Sequence, residues 1–103
     1  YARLQKLETE KNSEIFLPLK TRGDIQEKLL ESFSDFIIDL KNDGGKLNLE
    51  DIILCLLSLL NFSAKTISRC MGASEGALRT RKSRLKGKLS ATMFQRIFEK
   101  SST

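Results

Sequence analysis

Nine residues from Ile52 to Leu60 are apolar at every position except Ser58. That is about half the length a membrane-crossing helix needs. It is also too uniformly apolar for a helix that shows one face to water. The run must be a helix enclosed on most sides, and the rest of the 103-residue chain has to supply the enclosure. Apolar residues make up 40% of the chain and charged residues 30%, which suits one soluble core rather than two domains or a disordered tail.

Around this run the apolar spacing is helical throughout. Ile25, Leu29, Leu30, Phe33, Phe36, Ile37 and Leu40 recur at three- and four-residue intervals, predicting one amphipathic helix from Asp24 to about Lys41. Asp24 and Glu27 have the spacing of a capping box, and Gly44-Gly45 offers a left-handed stop. Upstream, Leu4, Leu7 and Ile15 form a thin stripe on a helix ending near Ile15, compatible with the tail of a coiled coil. Pro18 makes Ile15–Leu19 a connector docked on the core. Downstream, Asn48 with Asp51 caps the apolar helix, and Asn61 can take the left-handed conformation that ends it. Ser63 caps a helix over Ala64–Met71, Gly72 breaks the chain, and Ser74 caps a helix from Glu75 to about Lys88. A last helix, Ala91–Lys100, groups Met93, Phe94, Ile97 and Phe98. No strand-like alternation is present. The fold class expected is all-α, a small helical bundle. Residues 1–46 form an N-terminal helical extension, and residues 47–103 form a tri-helical or tetra-helical helix-turn-helix core with a packing helix at its end.

The chain has no His, which removes the usual acid–base and metal-ligand residue. Cys55 and Cys70 lack CxxC spacing and sit in apolar helical segments, where cysteines behave as small core hydrophobes. No metal, no cofactor and no enzymatic activity are expected, since no phosphate-cradling glycine loop is present either. Nothing at the start resembles a secretion signal, so the reducing cytoplasm is the expected compartment, without membrane contact. A start at Tyr1 rather than Met suggests a longer parent protein.

The net charge of +5 is unevenly placed. Residues 65–88 carry eight Lys/Arg against Glu75 alone, whereas residues 1–64 carry eight against eleven Asp/Glu. A local basic block attached to an acidic remainder points to a polyanion, because clustered cations gain free energy by releasing counterions condensed on nucleic acid. On a wheel of about 100° per residue, Leu78, Leu85 and Leu89 fall within roughly 40° of one another. The opposite arc holds Gly76, Arg79, Thr80, Ser83 and Gly87. Arg79, Thr80 and Ser83 are therefore the candidates for reading base edges in double-stranded DNA. Arg81, Lys82, Arg84 and Lys86 are candidates for gripping phosphates, with Arg81 and Lys82 snorkelling outward from beside the apolar stripe. Lys65 and Thr66, at the capped start of the preceding helix, are candidates for a further phosphate. Arg69, Lys88 and Arg96 are read as plain solvent-facing residues.

Leu47-Asn48-Leu49-Glu50-Asp51, Asn61-Phe62-Ser63-Ala64-Lys65-Thr66-Ile67-Ser68, Met71-Gly72-Ala73-Ser74-Glu75-Gly76-Ala77-Leu78 and Arg84-Leu85-Lys86-Gly87-Lys88-Leu89 together resemble the LuxR-type helix-turn-helix output domain of bacterial transcriptional regulators. The likeness covers about residues 47–89. It departs from the family at Asn61 for the usual Gly, Thr66 for Glu and Ala73 for a larger apolar residue. The resemblance implies base-reading positions at Arg79, Thr80 and Ser83, with a phosphate contact at Lys65. It also implies a homodimer in the full-length protein, with RNA polymerase as a candidate further partner. Thr80-Arg81 is similar to the Ser-Arg of the C-terminal promoter-binding region of sigma factors. A separate reading is a helical dimerisation or interaction module whose helix-turn-helix does not bind DNA.

Overall fold

The computed structural model describes residues 17–44 and 46–99. All regular structure among them is helical: α1 (Leu19–Ser32), α2 (Ser34–Gly44), α3 (Leu49–Leu59), α4 (Ala64–Met71), α5 (Glu75–Lys88) and α6 (Ala91–Phe98). The all-α bundle expected from the periodicity is what the chain forms. The helix read over Tyr1–Ile15 lies outside the described residues.

The apolar run is the centre of the molecule. Ile52 through Leu57 are all buried on α3, which packs against α1, α4, α5 and α6. Each Leu or Ile removed from water here contributes about 1.5–3 kcal/mol. Ile25 and Leu29 of α1 and Ile37 and Leu40 of α2 join the same core as Leu78, Leu85, Phe94 and Ile97. Cys55 and Cys70 are not joined in a disulfide and have no exposed surface.

Three expectations need correction in the first two helices. Helix α1 begins at Leu19 behind Pro18, not at Asp24, and the Arg22 N–H donates to the Pro18 carbonyl at 2.9 Å. Proline is well suited to this place, because its missing N–H is one a helix start leaves unused anyway. Asp24 therefore sits inside α1 and caps nothing. The single long helix is two segments meeting at Phe33, whose φ of −119° and ψ of 32° depart from helix. Hydrogen bonds continue through the junction, Phe33 N–H to the Leu29 carbonyl and Ile37 N–H to the Phe33 carbonyl, so it is a kink. Ser32 and Ser34 flank it, and serine competes for helix backbone groups. Finally, of the Gly44-Gly45 pair expected to give a left-handed stop, Gly45 lies outside the described residues, and Gly44 is the last helical residue of α2 and is not left-handed. Its lack of a side chain serves packing, since a Cβ there would come within 2.8 Å of Leu89 Cδ2.

The downstream landmarks fall where the local chemistry puts them. Asn48 and Asp51 form a reciprocal capping box on α3, and Asn61 takes φ 69°. Ser90 caps α6 by accepting the Met93 N–H, and is itself held by Asp43 of α2 through its N–H at 2.9 Å and its hydroxyl at 2.7 Å.

Candidate nucleic-acid interface

Helices α4 and α5 are joined by a tight turn built from local hydrogen bonds. Ser63 opens α4 by accepting the Thr66 N–H at 3.2 Å. Gly72 ends it in the left-handed region at φ 65°, with its N–H on the Ser68 carbonyl at 2.9 Å. The Ser68 hydroxyl donates to the Ala73 carbonyl across the turn, and Ser74 opens α5 by accepting the Ala77 N–H at 3.1 Å. Helix α1 and the residue ahead of Pro18 brace the turn from behind. The Leu17 N–H donates to the Arg69 carbonyl at 3.1 Å, and Gln26 Nε2 donates to the Cys70 carbonyl at 3.2 Å. The end of α4 thus gains partners for carbonyls that a helix terminus leaves open. The Arg22 guanidinium lies against Gly72 where a Cβ would otherwise be.

Helix α5 is fixed along two lines. Leu78, Leu85 and Leu89 bury themselves in the core, as their angular grouping predicts. On a shoulder of that stripe, Arg81 Nη1 and Lys88 Nζ each lie 3.2 Å from an Asp51 carboxylate oxygen. Burial alone would raise the Asp51 carboxyl. The Asn48 N–H, the Lys88 ammonium and the Arg81 guanidinium outweigh it, and the group stays below its ordinary 3.8. Arg81 also donates to Glu50 at 2.6 Å. One buried carboxylate therefore caps α3 and locks the rotation of α5 at the same time.

The opposite arc faces water. Gly76, Arg79, Thr80, Ser83, Arg84, Lys86 and Gly87 are all exposed. The Thr80 hydroxyl donates to the Gly76 carbonyl at 3.2 Å, which leaves its oxygen able to accept. Lys82 is exposed and holds its ammonium 5.3 Å from the centre of the Phe98 ring. Among the described residues no carboxylate lies within ion-pair distance of Arg79, Lys82, Arg84 or Lys86. Lys65 is half-buried at the start of α4.

Two of the phosphate candidates are placed differently from expectation. Arg81 turns inward to Glu50 and Asp51, because two carboxylates at the start of α3 lie within its reach. Thr66 is 2% exposed, and its side-chain oxygen accepts from the Ser63 hydroxyl, so its side chain is not available to a phosphate. Of the three cations expected to face solvent, Arg69 is instead buried, Lys88 turns to Asp51 because that carboxylate is within reach, and Arg96 is exposed with its guanidinium 5.4 Å from the centre of the Phe36 ring. Sequence reasoning used Asp51 only as a cap and missed its part in holding α5. The available signal was Arg81 and Lys88, two cations two turns apart on one face, with adjacent acids at the start of the central helix.

The two glycines of the exposed arc are not required by the fold. A Cβ at Gly87 would meet nothing within 4 Å, and one at Gly76 would come no nearer than 3.8 Å to the flexible end of Arg79. Neither has positive φ. Each lowers helix stability relative to alanine, by up to about 1 kcal/mol in a helix interior, with no internal reason for its presence. Among the described residues no helix is long and apolar enough to cross a membrane, and no three His, Cys, Asp or Glu gather as metal ligands. Comparison of the chain with protein-family models, with curated proteins and with solved structures finds no match.

Proposed function

We propose that the chain is a DNA-binding output module of a transcriptional regulator of LuxR-like type, with α5 as the helix that enters the major groove. The carrying observation is the asymmetry of α5. One side is pinned by three leucines and the Asp51 clamp. The other presents Arg79, Thr80 and Ser83 between two glycines that the fold does not need. Side-chain-free positions let a helix backbone come close to the duplex, and Arg, Thr and Ser are suited to base edges. A helix of 14 residues is about 21 Å long and fits a groove about 12 Å wide. Lys82, Arg84 and Lys86, unpaired by acids among the described residues, flank that face for phosphate contact, with Lys65 at the preceding helix. Arg81 belongs to the structural clamp in this reading and leaves the phosphate set. In the full-length regulator a homodimer would place two such helices on two half-sites, and RNA polymerase is a further partner to test.

The double variant Gly76→Ala/Gly87→Ala tests the reading. It should raise stability by about 0.5 kcal/mol or more while weakening binding to duplex DNA. A variant that is more stable and binds duplex as well as the parent would remove close approach from the account. The second reading, a helical association module, draws on exposed Leu19 (76%) and Ile38 (58%) on α1 and α2. It predicts self-association that survives charge reversal at Arg84 and Lys86.

A further inference from the structure

A cleft of about 300 Å³ opens where the C-terminal end of α3, the start of α4, the first half of α5 and α6 converge. Its floor is core: Leu54, Leu78 and Ile97 line it and are buried. Phe62 and Phe98 form its walls, and the Phe98 ring lies tilted against buried Phe94 with centres 4.8 Å apart. That volume and an apolar, aromatic lining with a few polar groups at the rim are the usual properties of a small-molecule site.

The rim determines what kind of molecule fits. Arg79 and Lys82 stand on it three residues apart on α5, neither with a carboxylate partner among the described residues. Lys82 is held at the aromatic wall by the Phe98 ring. The acid on the rim, Glu75, is a full turn beyond Arg79 and two turns from Lys82, at the N-terminal end of α5, where a carboxylate is already favoured. Two unpaired cations at the mouth of an apolar cleft are complementary to a molecule with one anionic group and an apolar body. We infer that this cleft binds a small amphiphilic organic anion, an aromatic or branched body on the floor and its acid group between Arg79 and Lys82. The site does not rest on the DNA reading, although it shares those two cations with it.

Anilinonaphthalene sulfonate is the probe, with its uncharged analogue phenylnaphthylamine beside it, titrated into the full chain without DNA and followed by fluorescence and methyl NMR. The sulfonate is expected to saturate at one per chain, moving the methyl signals of Leu54, Leu78 and Ile97 while the native signal dispersion is kept. The neutral analogue should bind more weakly. Lys82→Gln should weaken the sulfonate about fivefold. Ala64→Phe, at an exposed rim position, should block the cleft, and Lys28→Gln on α1 should change nothing. Equal binding of the neutral dye, shifts centred on α1 and α2, or indifference to both cleft variants would overturn the site. So would dye uptake that accompanies loss of native dispersion, or one dye per two chains, which would give the cleft to a second copy. Failure of duplex binding in a chain that still takes up the dye would count against the DNA reading alone.

Discussion

Removing the Asp51 carboxylate should loosen α3 and α5 together. Asp51→Ala deletes the acceptor for the Asn48 N–H at 3.2 Å and for Arg81 and Lys88, each at 3.2 Å. A fully buried pair that loses one member costs about 3–5 kcal/mol, because a charge is stranded in the core. Here the Arg81 and Lys88 side chains are 28% and 40% exposed, and Arg81 keeps Glu50. Both cations reach water when Asp51 goes, so the stranding penalty does not apply. Half a capping box is worth about 1 kcal/mol, and two half-exposed ion pairs about 0.5–1 kcal/mol each after solvent screening. The expected loss is therefore about 2–3 kcal/mol, read from urea unfolding followed by helical circular dichroism. Asp51→Asn keeps an acceptor oxygen and loses the charge, and should cost about 1 kcal/mol. Its difference from the parent should also depend on pH. The folded carboxyl lies below its ordinary 3.8, so its contribution is complete above that value and disappears as pH falls through the folded pKa. The stability gap between parent and Asp51→Asn should shrink from pH 7 to about pH 3. A gap that stays constant over that window, or an Asp51→Ala loss below about 0.5 kcal/mol, would refute the clamp.

Gly72→Ala places a Cβ at φ 65° and against the Arg22 guanidinium. It should cost about 1–2 kcal/mol, seen as a drop of several degrees in Tm. A neutral result would mean the turn adjusts its left-handed residue. Burial, reinforced by the Asp51 charge, pushes the Cys55 thiol up to about 12, and both cysteines are fully buried. A thiol reagent at pH 8 should therefore leave the native chain unmodified and label both residues in denaturant; rapid labelling of the native protein would place a thiol at the surface.

The sequence disclosed what is decided within one helical turn. Asn48, Ser63 and Ser74 each carry an acceptor that reaches a backbone N–H three residues on, so side chain and spacing alone locate the starts of α3, α4 and α5. The left-handed positions at Asn61 and Gly72 are local in the same way. The wheel of α5 separated core from exposed arc because its leucine stripe has a single phase. Partnerships between distant segments were hidden. Arg81 and Lys88 are separated from Asp51 by 30 and 37 residues, and a cation beside an apolar stripe looks the same whether it snorkels to water or turns to an acid on the next helix. The kink at Phe33 is silent in the pattern because the apolar spacing runs through it unbroken, with only Ser32 and Ser34 as a cue. Pro18, expected to end a helix, stands at the start of α1, a place its fixed φ and missing N–H suit.

The claim that the exposed arc of α5 lies on DNA is tested most directly by fluorescence anisotropy of the chain on duplex across a salt series, beside Arg79→Ala/Lys82→Ala. Phosphate contact by Lys65, Lys82, Arg84 and Lys86 predicts a slope of log K against log salt of about −3.6, becoming about −2.7 in the variant, which loses one of the four, with weaker binding throughout. No binding at low salt by the folded parent, or an affinity and slope unchanged in the variant, would contradict it.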